Sequence, residues 1–296
     1  MKTFKVLADS TSDLEKKFRD EYDIDYFRMT FTIDDTEYDA DLDWTKLSPL
    51  DYYKMMRNGK RSITSFSTRE EFENRMRMYL DKGLDILYIG CSSKLSGSVQ
   101  AAKKLADELK AEYPERRIVC YDSLRSNYSQ GLMAIDAAKM EQDGKSLDEV
   151  VAYLNENTLK YQVQAIVGSL EWLKKAGRVK AAAAFFGTVL QLKPVICSDA
   201  KGNNFAYEKI IGRKKSIERL LDIIEERFEN PADNIIFIEH ADCPEDANYF
   251  KEEIERRCHP KAINISNVGP IIGATVGPDT ITVSFYGKEV TVCSPE

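Results

Sequence analysis

Histidine is nearly missing from this 296-residue chain, which carries two, His240 and His259. That scarcity leaves little material for a Ser-His-Asp triad or a histidine-based metal centre. The phosphate-cradling patterns G-x-x-x-x-G-K-[ST] and G-x-G-x-x-G are absent too, which argues against a nucleotide ligand. No C-x-x-C pair occurs. The six cysteines (Cys91, Cys120, Cys197, Cys243, Cys258, Cys293) are scattered, and Cys258-His259 are adjacent rather than at a zinc-finger spacing. They are expected to be free thiols in a reducing compartment, with no metal bound. Basic residues fall short of acidic ones, 42 against 49, for a net charge of −7. A nucleic-acid partner or an anionic membrane surface calls for the opposite balance. No run of roughly 20 apolar residues is present, so stable membrane insertion is not expected. Met1-Lys-Thr-Phe-Lys-Val-Leu-Ala-Asp9 meets an acidic residue where a signal peptide would continue its apolar core, and the expected location is cytoplasmic.

What is present is an ordinary globular composition, 43% hydrophobic and 31% charged, with strands and helices alternating. Phe4–Ala8 reads as a strand, followed by a helix near Leu14–Glu21 opened by a Ser12/Glu15 capping box. A strand at Asp25–Thr32, a turn at Asp34-Asp35, and helices at Ser48–Asn58 (Pro49 first) and Thr68–Lys82 follow. Next come strands at Leu84–Ile89 and Arg117–Tyr121 and helices at Val99–Ala106, Gln130–Gln142 and Leu147–Thr158. The fold class is α/β. Residues 1–158 form an N-terminal α/β domain on a mainly parallel sheet, and residues 159–296 an α+β domain with a mixed or antiparallel sheet. Strands of the second half are expected at Gln162–Val167, Leu190–Cys197, Phe205–Ile211, Ile235–His240, Ala262–Val268 and Thr280–Tyr286. Its helices are expected at Leu170–Ala176, Ala181–Phe186, Lys214–Glu229 and Glu245–Cys258.

In a parallel sheet, ligands collect at the carboxyl ends of the strands. Three hydroxyl-bearing segments fall there: Asp9–Ser12, Ser92–Ser98 and Asp122–Ser126. The loop Cys91–Ser98 enters a helix, whose first N–H groups are unpaired and attract anions. Serine at a helix start is also an ordinary cap. A second cluster, Ser62–Thr68, opens another helix, and two such entries can converge on one head group. With Lys94 the only cation near the loop, a singly charged carboxylate suits the site better than a triphosphate. A serine hydrolase or kinase-like enzyme using Ser96 and His240 is the alternative, although Ser96 lies outside a G-x-S-x-G elbow. A third possibility is a regulatory or scaffold protein docking through Gly212–Lys215. The acidic stretch Asp34–Asp43 lacks the register of a calcium loop and reads as a solvated face.

The series Asp9-Ser-Thr-Ser-Asp-Leu14, Thr64-Ser65, Ser92-Ser-Lys-Leu-Ser-Gly97, Tyr121-Asp-Ser123, Leu173-Lys-Lys-Ala-Gly-Arg-Val179, Leu192-Lys-Pro194 and Gly269-Pro-Ile-Ile-Gly-Ala274 resembles the DegV family of bacterial fatty-acid-binding proteins, in order and over essentially the whole chain. The resemblance implies a carrier, not an enzyme, with no cofactor, holding a long-chain fatty acid (about C16–C18) in an apolar tunnel between two domains. It implies that the carboxylate meets Thr64, Ser93 and Ser96, without deciding between the two serines, with Ser65 and Ser92 as neighbours. It also implies presentation to a fatty acid kinase, with Arg178 and Arg213 as docking candidates. Two positions depart from the family pattern. Thr275 stands where the family carries a carboxylate-binding histidine, and Ile211 stands where it carries the arginine implicated in kinase contact. Ala181-Ala-Ala-Ala-Phe-Phe-Gly187 offers small and aromatic surface for a tunnel wall.

Overall fold

The computed structural model describes residues 2–180 and 192–294. From the N-terminus the described elements are β1 (Phe4–Asp9), a 3-10 turn at Ser10–Ser12, α1 (Lys16–Glu21), β2 (Asp25–Phe27), β3 (Thr30–Ile33), β4 (Thr36–Asp39), α2 (Pro49–Arg57), β5 (Ile63–Ser65) and α3 (Arg69–Leu80). Then follow β6 (Asp85–Gly90), α4 (Ser98–Leu109), β7 (Ile118–Asp122), α5 (Asn127–Gln142), α6 (Leu147–Asn157), a 3-10 turn at Thr158–Lys160, β8 (Tyr161–Ile166), α7 (Leu170–Ala176) and β9 (Val179–Lys180). The remainder comprises β10 (Leu192–Ser198), β11 (Asn204–Ile211), α8 (Arg213–Arg227), β12 (Ile235–His240), α9 (Pro244–Cys258), β13 (Ala262–Asn267), α10 (Pro270–Val276) and β14 (Ile281–Tyr286).

Among the described residues, the first half builds a four-stranded sheet in the order β2-β1-β6-β7, every pair parallel. The second half builds a seven-stranded sheet, β13-β12-β14-β8-β10-β11-β9. It is mixed, with β12·β13 and β11·β9 parallel and the central pairs antiparallel. The expected α/β class, with a parallel first sheet and a mixed second one, is what forms. A small antiparallel sheet, β4-β3-β5, was not expected. Its hairpin turns at Asp34-Asp35, where both residues adopt the left-handed backbone (φ 51° and 59°) that a tight two-residue turn requires.

Helix α5 lies between the two large sheets, against β1 and β6 on one side and β8 and β14 on the other. It is buried along almost its whole length, and a helix covered on all sides needs no polar face. Its core joins Phe4, Val6 and Ala8 of β1 to Tyr161 and Phe237 of the second half. Helices α3 and α4 cover the far face of the parallel sheet through Phe72, Met76, Leu105 and Leu109. Helices α8 and α9 cover that of the mixed sheet through Leu220, Ile224, Phe250 and Ile254. A further cluster crosses the chain halves. Met29, Phe31, Tyr52, Tyr53 and Met56 pack with Ala165, Ile196, Ile271, Ile272 and Val276, while Tyr52 and Tyr53 donate hydroxyls to the carbonyls of Pro270 and Val268.

The carboxyl end of β1 is organised by Asp9. Its buried carboxylate accepts from the Thr11 amide (2.9 Å) and hydroxyl, the Tyr88 hydroxyl (2.6 Å), the Cys91 amide (3.1 Å) and Gln130 Nε2 (3.2 Å). One side chain therefore ties β1, the end of β6 and helix α5 together. Ser10 extends the joint by donating to the Ala40 carbonyl (2.7 Å) and accepting from the Met29 amide (3.0 Å).

Two local expectations change. The Ser12/Glu15 capping box does not form, because Asp13 turns left-handed (φ 52°) and α1 begins only at Lys16. The Glu15 amide instead donates to the Tyr128 hydroxyl (3.0 Å). Helix α10 was missed, its short Gly- and Pro-bearing sequence reading as a loop. The expected helix Ala181–Phe186 and the start of the strand from Leu190 lie outside the described residues. Among the described residues no helix is long and apolar enough to cross a membrane.

A real capping box closes α6, where Ser146 and Glu149 satisfy each other's backbone. Chemical denaturation is expected to show Ser146→Ala costing ~1 kcal/mol. Asp9→Ala strands several buried donors at once and should cost more than ~3 kcal/mol in the same measurement.

Candidate functional site

Where the two sheets, α10 and the small sheet meet, the structure encloses a cavity of about 490 Å³, within the range of ordinary small-molecule sites. Among the described residues its apolar wall is made by Met29, Val163, Ala165, Val179, Ile196, Ile271, Ile272 and Val276. The strand residues come from β8 and β10, central in the mixed sheet, and from β9 at its edge; the isoleucines and Val276 come from α10.

The polar lining comes from separate elements. Thr64 and Ser65 stand on β5, Ser96 on the loop entering α4, and Thr275 on α10. Helix α10 packs against β5, and Gly97 faces the Phe66 ring just beyond β5, so these hydroxyls converge. Thr11, Ser126, Asn127, Asn204 and Thr282 complete the polar lining, and Arg178 is its one charged side chain among the described residues.

The loop before α4 is shaped by its own hydrogen bonds. Asp122 Oδ1 accepts from the Ser93 and Leu124 amides, each at 3.1 Å. The Ser92 amide donates to the Arg125 carbonyl (2.8 Å). The Leu95 and Ser96 amides turn back onto the Ser92 carbonyl at 2.9 and 3.0 Å. Ser96 Oγ accepts from the Ser98 amide (3.3 Å) and lies 3.0 Å from Ser98 Oγ, so its hydroxyl serves the helix start as well as the cavity.

The structure thus gathers Thr64, Ser65, Ser96 and Thr275 around one space. Ser92 and Ser93 lie off the lining. Ser92 is fully buried, its hydroxyl donating to the Gly202 carbonyl (2.7 Å). Gly202 has φ 86° and leaves no room for a Cβ beside that hydroxyl. Arg178, assigned from the sequence to partner docking, stands on the cavity, with Nη1 donating to the Ala176 carbonyl (2.6 Å). Arg213 is elsewhere, paired to Asp246 at 2.8 Å, and Ile211 is 58% exposed. His240 is also off the lining, accepting from the Cys243 amide at 3.4 Å. Burial lowers its basicity.

Thr11, Asn127 and Thr282 escaped the sequence reading. Thr282 had a signal: Thr282 and Ser284 of β14 alternate with apolar residues on a strand whose core positions would otherwise be apolar throughout. Asn127 follows directly on the strand-end segment Asp122–Ser126. Two thiols also face the cavity. Burial pushes Cys197 up to about 12, and burial with the nearby Asp9 pushes Cys91 higher still, so both stay protonated at neutral pH and are poor nucleophiles. Among the described residues, no cluster able to hold a metal ion occurs.

Comparison with known proteins places this geometry. A DegV domain-containing protein of Clostridium perfringens is 36% identical over 287 residues, covering 97% of this chain and 98% of the relative. A DegV family protein from Thermus thermophilus, solved as a fatty-acid-binding protein, superposes with a TM-score of 0.86 at 26% identity, covering 97% of this chain and all of that one. A DegV lipid-binding protein from Thermotoga maritima superposes with a TM-score of 0.85 at 25% identity, covering 98% and 100% of the two chains. The family model described as the DegV family of uncharacterised proteins matches residues 3–288, and the chain belongs to that family.

Proposed function

We propose that this protein binds a long-chain fatty acid in the cavity, carboxylate toward Thr64, Ser96 and Thr275 and acyl chain along Val163, Ala165, Ile196 and Ile271, as a carrier without catalysis of its own. The observation that carries the reading is the composition of the lining among the described residues: apolar strands and α10 on one part, converging hydroxyls from three elements on another, and one cation. Each methylene removed from water contributes roughly 0.8 kcal/mol, so a chain of about 16 carbons dominates affinity while the hydroxyls orient it. Arg178 supplies the positive charge that Thr275 does not, and a charge-assisted contact is stronger than a neutral one. The fatty acid bound by the Thermus relative supports the same ligand class here.

A serine hydrolase finds less support, since among the described lining residues Ser96 has neither a histidine nor a carboxylate beside it. Presentation to a kinase would use a surface on which Ile211 is aliphatic and Arg213 is already paired with Asp246, so we place ligand carriage ahead of that partnership. On this reading the chain divides at 158/159, with Met29–Met56 reaching across to close the cavity against the second half.

Mass spectrometry of ligand extracted from purified protein should find long-chain fatty acid; protein that is consistently empty and has no fatty-acid affinity would sink the proposal. Ser96→Ala should weaken binding by about fivefold, one neutral hydrogen bond. Ala165→Phe, which fills the apolar wall, should weaken it far more while circular dichroism stays native. Thr275→His should tighten binding below about pH 6.5, where imidazole is cationic, and lose that gain above it; titration calorimetry across pH reads both arms.

A further inference from the structure

Between the cavity and a second, outer pocket sit two buried carboxyl groups that the fatty-acid reading does not use. Asp13 ends the 3-10 turn after β1, and Glu239 lies on β12 of the other large sheet. Glu239 Oε2 accepts from the Thr282 hydroxyl (2.9 Å) and the Tyr128 amide (3.5 Å). Glu239 Oε1 and both oxygens of Asp13 are buried without a hydrogen bond of good geometry, the Gly269 backbone and the Asn127 side chain being the donors that approach them. The two side chains face each other. Three orphaned carboxyl oxygens are costly as two carboxylates, and one proton held between them removes most of that cost. Burial and the opposing Glu239 raise Asp13 well above the ordinary carboxylate range, with the Gly269 backbone opposing the rise. Burial likewise raises Glu239.

The surroundings make this more than a local oddity. On the inner side, Thr282 and Asn127 are both cavity-lining residues. Asn127 faces Glu239, with its buried Nδ2 the side-chain donor on that side of the carboxyl. On the outer side, Asp13 lines a surface pocket of about 380 Å³ with Gly269, Ser266 and Trp44, which places the pair one side chain from solvent. The titratable groups packed around the pair are Asp9 behind Asp13, Tyr53 from α2, Tyr128 from α5 and Glu15 at the start of α1. Lys16 and Lys17 at the outer pocket pair with Asp20 (2.6 Å) and Glu15 (3.5 Å).

We propose that Asp13 and Glu239 share one proton as a latch between the two sheets, positioning Thr282 and Asn127 on the cavity wall, and that loss of this proton loosens the wall and speeds ligand release. The proton leaves to water through the outer pocket, and the two carboxylates left behind repel each other across the junction of the halves. The release step rests on the fatty-acid reading above; the shared proton does not. The sign follows from linkage. The folded state keeps a proton that the unfolded chain gives up, so stability falls as pH climbs above the ordinary carboxylate range toward the raised folded values.

Asp13→Asn and Glu239→Gln test this in the full chain. Either amide bonds to the remaining carboxylate with no borrowed proton, and Asn tolerates the left-handed backbone at position 13. Infrared difference spectra of the wild type at neutral pH should contain a protonated-carboxyl band that Asp13→Asn removes; its absence from the wild type overturns the proposal. Dissociation of cis-parinaric acid from the wild type should accelerate at least about tenfold between about pH 6 and about pH 10, and both variants should be flat across that range. A wild-type profile that persists in both variants also overturns it, assigning the dependence to the ligand or Arg178. If neither wild type nor variants bind the probe at any pH, the fatty-acid reading and the release step fall together. The shared proton is then decided by the infrared band and by whether wild-type stability declines with rising pH relative to Asp13→Asn.

Discussion

The constraint on which the site depends is the buried carboxylate of Asp9. A buried carboxyl group without water must have its oxygens hydrogen-bonded, and the donors that satisfy it come from three places: the turn after β1, the end of β6 and helix α5. Meeting that demand fixes where the loop Cys91–Ser98 begins and seats α5 against the parallel sheet. Ser10 then anchors Met29 and Ala40, bringing the small sheet to the same junction. The cavity is the space left where these tethered pieces meet the mixed sheet.

That junction explains the segment Asp9-Ser-Thr-Ser-Asp13 one residue at a time. Asp9 gathers three elements, Ser10 holds the small sheet, Thr11 faces the cavity, and Asp13 meets Glu239 on the opposite sheet. The segment joins the halves as much as it serves a ligand. The affinity for a fatty acid, on our reading, comes from strands and helices far from it in sequence, because apolar burial scales with area and needs many side chains.

Much of the fold was legible beforehand. Alternation of apolar strands with amphipathic helices identified a parallel sheet in the first half, since period and order survive whatever the strands later pack against. The ends of β12 and α7 fell where Ile235–His240 and Leu170–Ala176 predicted. The failures were equally physical. Helix α10 follows Gly269, carries Pro270 and Gly273, and is held by packing on Tyr52 and Tyr53 rather than by propensity. The Ser12/Glu15 pair has the capping spacing, but Tyr128, more than a hundred residues away, takes the Glu15 amide.

The same division holds for the site. Sequence alone determined the chemistry available: hydroxyl-rich strand ends, almost no histidine, no phosphate loop, a threonine at 275 and an isoleucine at 211. Those are properties of residue type and local order, which folding does not alter. Only the tertiary structure decided which hydroxyls share a space. It turned Ser92 onto Gly202, set Thr64, Ser96 and Thr275 around one cavity, placed Arg178 on its wall, and brought Asp13 against Glu239. Those outcomes depend on long-range packing between chain segments, because a side chain's partner is set by the backbone that arrives beside it and local sequence carries no record of that arrival.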